Sequence, residues 1–138
     1  MITADEVKAT VEDRNYVGCD PDCVDYRDAD RWIGGVERAE HSSDDYQGDT
    51  WVLYQRGDEW GVLTYGWGSC SGCDAALSCM SWEDAAELIN RLVDSIVWRT
   101  KDDMLAWLVD DDARAGEWDY REGKPFRAKA FAVLRGES

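Results

Sequence analysis

An apolar stripe that follows Ser81 is the strongest periodic signal in the sequence. Ser81 is a preferred helix N-cap residue, and the apolar residues after it recur at the three- and four-residue spacing of one helix face. These residues are Ala85, Leu88, Ile89, Leu92, Val93 and Ile96. The pattern predicts an amphipathic helix whose apolar side packs against another layer of the protein.

Short runs of β-branched and aromatic residues supply that layer. The clearest pair joins Thr50–Arg56 to Trp60–Tyr65 across Gly57-Asp58, and alternation in each arm gives one apolar set for a core. Further turn clusters lie at Gly34-Gly35 and at His41 to Asp45. We therefore predict a small antiparallel sheet over about residues 32–67.

Capping signals mark two further helices. Thr3 and Glu6 form a capping box, which predicts a helix from about Ala4 to Asn15. Thr100 with Asp103 begins another helix, which ends at Asp110-Asp111-Asp112. Its apolar side consists of Met104, Trp107 and Leu108.

The segment from Phe126 to Leu134 fits two structures. Pro125 suits a first helical turn and Gly136 a helix end, but Phe131 and Val133 also alternate as in a strand. With either reading the fold class is α+β, with the sheet packed against helices from the C-terminal half plus the N-terminal helix. The length predicts a single domain over residues 1–138.

Acidic residues outnumber basic residues two to one, which gives a formal net charge of −15. Such a charge repels phosphate backbones and anionic lipids, so direct binding to nucleic acid or to a membrane is disfavoured. A basic protein, including one that itself binds nucleic acid, is the expected partner. The first residues show no targeting signal and no run of the sequence resembles a membrane span, so we expect a cytoplasmic protein.

The five cysteines leave a metal site open. Cys70 and Cys73 have the spacing of a zinc-binding pair, and Cys19 with Cys23 supplies a second pair, with Cys79 as an alternative ligand. Four thiolates would close a structural zinc site. Packed thiols without a metal, and therefore no cofactor, are the competing interpretation. The stretch from Cys19 to Asp30, rich in Asp, is predicted to be a loop.

Thiol chemistry is an alternative function for the same residues. A cysteine at a helix N-terminus has a lowered pKa, and Cys70 or Cys73 could lie at one. The alternative function is a thiol- or zinc-dependent enzyme centred on Cys70, Cys73 and Asp49. The one histidine, His41, is placed in a turn, and no catalytic set emerges from the spacing of the residues. We therefore predict no catalytic residue.

Tryptophan residues are the candidate anchors of a binding surface. Trp51, Trp60, Trp82 and Trp107 lie on apolar stripes and are interpreted as core residues. Four others lie beside polar or charged residues and suit binding hot spots, namely Trp32, Trp67, Trp98 and Trp118.

Two sequence elements carry a resemblance. Asp45-Tyr46-Gln47-Gly48-Asp49 and Tyr65-Gly66-Trp67-Gly68-Ser69-Cys70-Ser71-Gly72-Cys73-Asp74-Ala75-Ala76-Leu77-Ser78-Cys79 resemble a family of small acidic proteins from phages and bacteria. The resemblance implies a functional or structural core that contains Gln47, Asp49, Cys70, Cys73, Asp74 and Cys79. With Trp67 added, the predicted binding residues are Gln47, Asp49, Trp67 and Asp74. The predicted function is a phage-encoded, non-enzymatic protein that binds a host or viral protein, as an inhibitor or a DNA mimic.

Overall fold

The computed structural model describes residues 1–42, 47–68, 75–109 and 123–136. The chain forms two compact units, each made of two stretches of sequence: Met1–Gly34 with Tyr65–Ser95, and Gly35–Thr64 with Ile96–Ser138. Helices and an antiparallel sheet are both present, which confirms the predicted α+β class. The single-domain assignment stays a prediction.

The first unit is helical. Its helices are α1 (Ala4–Arg14), α2 (Asp30–Ile33) and α3 (Trp82–Asp94), and α1 packs against α3. The capping box of Thr3 and Glu6 is present, and the Ser81 side chain accepts a hydrogen bond from the Asp84 amide, so both predicted helix starts are confirmed. The buried face of α3 contains Ala85, Ala86, Leu88, Ile89 and Leu92.

Asn90 on α3 holds the backbone that enters α1. Its Nδ2 donates to the Ile2 carbonyl at 2.8 Å, and its Oδ1 accepts from the Ile2 amide at 3.0 Å. A third bond from Nδ2 to the Ala86 carbonyl fixes the side chain against its own helix. These two long-range bonds tie residues 88 positions apart in the sequence.

One predicted boundary, the start of the sheet, is wrong. Trp32 lies in α2 and not at the start of the sheet, whose first strand begins at Val36. The predicted loop between Cys19 and Asp30 contains two 3₁₀ turns, Pro21–Cys23 and Tyr26–Ala29. The second turn forms because the Asp25 side chain caps it, accepting from the Arg27 amide at 2.9 Å.

The sheet has three strands in the order β1 (Val36–Ser42), β2 (Gln47–Arg56) and β3 (Glu59–Gly68). β1 is antiparallel to β2, with a register irregularity between Glu37 and Ala39. The two-residue connection Gly57-Asp58 joins β2 to β3, which confirms the predicted hairpin. His41 lies in β1, so the predicted start of the turn at His41 is wrong, and the rest of that turn, residues 43–45, lies outside the described residues.

The core of the second unit forms where α5 (Gly123–Leu134) contacts β1 and β2. Phe126, Ala130 and Leu134 recur every four residues and are fully buried there, so this segment is the helix of the two predicted alternatives. The helix α4 (Lys101–Val109) contributes Met104 and Leu108. The sheet contributes Ala39, Trp51, Leu53 and Trp60.

The segment after α3 lies against β3. Arg99 and Trp60 exchange two backbone hydrogen bonds of 2.7 and 2.8 Å, so Arg99 adds a single bridge to the outer edge of β3. Trp98 lies against Gly61, and the Arg56 guanidinium stacks on the Trp98 ring at 4.0 Å. Trp98 is therefore a half-buried packing residue of the second unit.

No helix in the described ranges is both long and apolar enough to cross a bilayer.

Candidate protein-binding surface

The predicted binding residues fall on different parts of the chain. Gln47 and Asp49 are in the first three residues of β2, and Trp67 is the second-last residue of β3. Asp74 lies outside the described residues, as does Trp118. A binding site made of these four residues stays a prediction.

The predicted zinc ligands are described only in part. Cys19 precedes the first 3₁₀ turn, and Cys23 is the last residue of that turn. Cys79 is buried, and its thiol donates to the Ala75 carbonyl at 3.4 Å. Cys70 and Cys73 lie outside the described residues. Within the described part of the chain, no three His, Cys, Asp or Glu side chains are placed to hold a metal ion. The zinc site and the thiol enzyme both stay predictions.

The structure adds an exposed apolar pair that the sequence analysis missed. Tyr16 and Val17, in the connection between α1 and the first 3₁₀ turn, are 63% and 89% exposed. Exposed carboxylates surround them in the sequence at Asp13, Asp20 and Asp22. We call Asp13–Asp22 the acidic turn. The sequence pattern that could have revealed this site is an apolar pair between Asn15 and Gly18, which belongs neither to a helix face nor to a strand.

An ion pair between the half-exposed Arg14 and the buried Asp28 holds the chain that follows the acidic turn. Arg14, the last residue of α1, donates from Nε to Asp28 Oδ1 at 2.8 Å and from Nη2 to Asp28 Oδ2 at 3.0 Å. Arg14 Nη2 also donates to the Cys23 carbonyl at 2.8 Å, and Asp28 accepts from the Asp25 amide. One guanidinium therefore connects the end of α1 to both 3₁₀ turns.

A second set of bonds fixes the acidic turn itself. The Asn15 amide donates to the Val11 carbonyl and ends α1. The Gly18 amide then donates to Glu12 Oε2 at 2.6 Å, so the chain folds back onto the helix it has just left. Tyr16 and Val17 lie between these two hydrogen bonds, so their side chains are exposed on a backbone that is held in place on both sides.

The charges of the acidic turn are largely uncompensated. Among the described residues, Asp13, Asp20 and Asp22 have no basic side chain within ion-pair distance. Arg14, the basic residue within the turn, is engaged by Asp28, and this hydrogen bond raises the Arg14 pKa. The turn therefore presents negative charge around an apolar centre, which suits a basic and partly apolar partner surface.

The Cys19 thiol is not activated for nucleophilic attack. Burial raises the pKa of the Cys19 thiol, and the neighbouring Cys23 raises it further. The pKa of the Tyr16 hydroxyl is also raised, chiefly by its electrostatic interaction with Cys23. Cys19 and Tyr16 therefore lose their protons less readily than free cysteine and tyrosine side chains.

We expect the stabilising contribution of Cys19 to disappear at alkaline pH. An unfolded cysteine ionises near about pH 8.5, whereas folded Cys19 keeps its proton to higher pH. The contribution is therefore complete below that pH and is lost as the pH rises through the folded-state pKa. Urea unfolding of the wild type and of Cys19→Ala, between about pH 7.5 and about pH 10, measures it. The difference in unfolding free energy should narrow with pH, and a constant difference contradicts the assignment.

A shallow groove lies at the other end of α1, in the first unit. Its volume is about 470 Å³, and its lining residues are Met1, Ile2, Trp32, Asn90, Val93 and Asp94. The Asn90 amide is committed to Ile2 and Ala86, and Asp94 is an exposed carboxylate at the end of α3. These groups form an apolar floor with one charged edge and do not pair a nucleophile with a base.

No protein-family model, no curated protein and no solved structure matches the chain. The resemblance to small acidic phage and bacterial proteins therefore stays a prediction that rests on the two sequence elements.

Proposed function

We propose that this protein is a small, acidic, non-enzymatic binding protein that engages a basic protein through its acidic turn. The observation that carries the proposal is the exposure of Tyr16 and Val17 on a hydrogen-bonded backbone. The resemblance to phage proteins favours a host or viral protein as the partner, and a cytoplasmic location follows from that role.

Three physical properties of the acidic turn support this function. Aromatic side chains are frequent anchors of protein interfaces because they bury a large area with few rotatable bonds. The bonds to Glu12 and Val11 order the turn before binding, which lowers the entropy cost of association. The carboxylates around the anchor accelerate encounter with a positively charged surface.

Photo-crosslinking identifies the partner at a defined position. A photoreactive amino acid replaces Val17 in one protein and Met80 in a control, because both side chains are 89% exposed and belong to the same unit. We expect one basic protein to crosslink at position 17 and not at position 80. The same proteins captured at both positions, or none at position 17, would contradict the proposal.

Tyr16→Ala should weaken binding of the purified partner at least about tenfold, the loss typical of a truncated aromatic anchor. Met80→Ala is the control and should bind like the wild type. Calorimetry or surface plasmon resonance measures both dissociation constants, and circular dichroism checks that both variants fold. Equal losses in the two variants would place the interface elsewhere.

Neutralising Asp20 and Asp22 together should slow association about tenfold and change dissociation little, because exposed charges act mainly on the encounter rate. Added salt should slow the wild type in the same way. If the partner binds nucleic acid, duplex DNA should compete with the protein for it, which is the outcome expected of a DNA mimic. If neither the neutralisation of Asp20 and Asp22 nor added salt changes the association rate, charge does not steer the encounter.

A further inference from the structure

Trp32, one of the predicted hot-spot residues, lines the groove at the start of α1 and is not part of the acidic turn. Ile2 and Val93 complete an apolar floor with it. All three side chains are half-buried, so part of each apolar surface faces the groove. The volume of about 470 Å³ lies within the range of small-ligand pockets. The floor therefore suits the apolar or aromatic body of a small molecule.

Hydrogen bonds and packing hold the walls of the groove in place. The two bonds between Asn90 and Ile2 join the entry of α1 to α3, and the bond from Asn90 to the Ala86 carbonyl fixes the amide on its own helix. The second 3₁₀ turn leads directly into α2, which contains Trp32, and this turn packs against α3. Because the walls are ordered before a ligand arrives, binding costs less conformational entropy.

The end of α3 gives the groove a negative edge. Asp94 is the last residue of α3, and it lines the groove as an exposed residue. The carbonyl groups at a helix C-terminus carry partial negative charge, so the helix end and the carboxylate both favour a cation here. Among the described residues, no basic side chain and no terminal amine lies within ion-pair distance of Asp94. The edge is therefore complementary to a positively charged group.

We propose that this groove is a binding site for a small organic ammonium ion, which is a primary amine attached to an apolar or aromatic body. The ammonium group pairs with Asp94, and the body lies on the apolar floor. Arg31 donates to Thr10 and lies 5.9 Å from the centre of the Trp32 ring, so that ring already faces one cation. Trp32 therefore acts as apolar surface, and Asp94 selects the charge of the ligand. This site does not depend on the proposed binding function of the acidic turn.

Two ligands with similar aromatic bodies and opposite charges test the site. Phenethylamine and phenylpropionate are titrated into the isotope-labelled full chain at low salt, and NMR shifts report where and how tightly each binds. We expect phenethylamine to bind at least about tenfold more tightly, with shifts centred on Ile2, Trp32 and Asn90. Methylamine has the charge without the body and should bind at least about tenfold more weakly than phenethylamine. Equal binding of phenethylamine and either other ligand, or shifts centred elsewhere, would overturn the proposal.

A pair of substitutions on α3 separates the site from the net charge of the chain. Asp94→Asn should weaken phenethylamine binding about fivefold and reduce its advantage over phenylpropionate. Glu83→Gln is the matched control, because it removes the same charge from an exposed carboxylate in the first turn of the same helix. This control should bind phenethylamine like the wild type, and circular dichroism checks that both variants fold. Equal losses in the two variants would show a response to net charge and would refute the assignment to Asp94.

Discussion

Asp28→Ala is expected to lower the free energy of unfolding by about 3 kcal/mol, the low end of the range for breaking a buried ion pair. The Asp28 side chain is 3% exposed and accepts two hydrogen bonds from Arg14 and one from the Asp25 amide. Its removal leaves these donors without an acceptor. Arg14 is 39% exposed, so water replaces part of the lost interaction and keeps the effect at that lower limit.

A surface ion pair in the same chain is the control for this measurement. Arg56 and Glu59 are 3.6 Å apart, with side chains 44% and 51% exposed. Glu59→Ala should cost less than about 0.5 kcal/mol. Urea unfolding followed by far-ultraviolet circular dichroism compares the two variants, and equal losses would contradict the structural role of Asp28.

Asp28→Ala also tests how far the ion pair affects the neighbouring acidic turn and its binding of a partner. Asp28→Ala changes none of Asp13, Tyr16, Val17, Asp20 and Asp22. It removes the acceptor that positions the Arg14 guanidinium, which also donates to the Cys23 carbonyl just after the acidic turn. Hydrogen exchange at the Asp25 amide, which donates to Asp28, should accelerate. The bonds that fix the acidic turn itself, from Gly18 to Glu12 and from Asn15 to Val11, do not involve Asp28, so partner binding should stay within about twofold of the wild type.

Local sequence signals predicted the parts of the fold that depend on local interactions. The capping box at Thr3 and Glu6 and the N-cap at Ser81 act over three residues, so their spacing is visible in the sequence. The hairpin across Gly57-Asp58 is equally local. The extended stripe after Ser81 included Ile96, but α3 ends at Asp94 and Ile96 instead contacts Gly61. Periodicity alone does not show where a helix stops.

Long-range contacts could not be predicted in this way. Asp28 was one of many acids in a stretch predicted to be a loop, and the Arg14 that pairs with it lies 14 residues away. The candidate site was missed for a related reason. Exposure of Tyr16 and Val17 depends on the bonds to Glu12 and Val11, and no residue pattern specifies which apolar side chains remain outside the core.

Gly61→Ala is expected to cost about 2 kcal/mol, as for an overpacked core position. A Cβ at position 61 would overlap Ile96 Cγ2 and would lie 3.1 Å from Trp98 Cε3. Ile96 is β-branched and buried, and the Trp98 ring is held under Arg56, so neither neighbour moves freely. The bridge between Trp60 and Arg99 limits a shift of the backbone as well.

Gly57→Asn is the matched control, because Gly57 has a φ of 60° and nothing within 4 Å of its added Cβ. Asparagine tolerates this left-handed conformation, so the cost should be below about 1 kcal/mol. The sign of the Gly61→Ala effect is decisive. Without the contacts to Ile96 and Trp98, alanine would stabilise a strand by reducing the entropy of the unfolded chain. A destabilised Gly61→Ala protein with an altered near-ultraviolet tryptophan signal therefore shows that Trp98 packs on β3, and a stabilised variant shows that it does not.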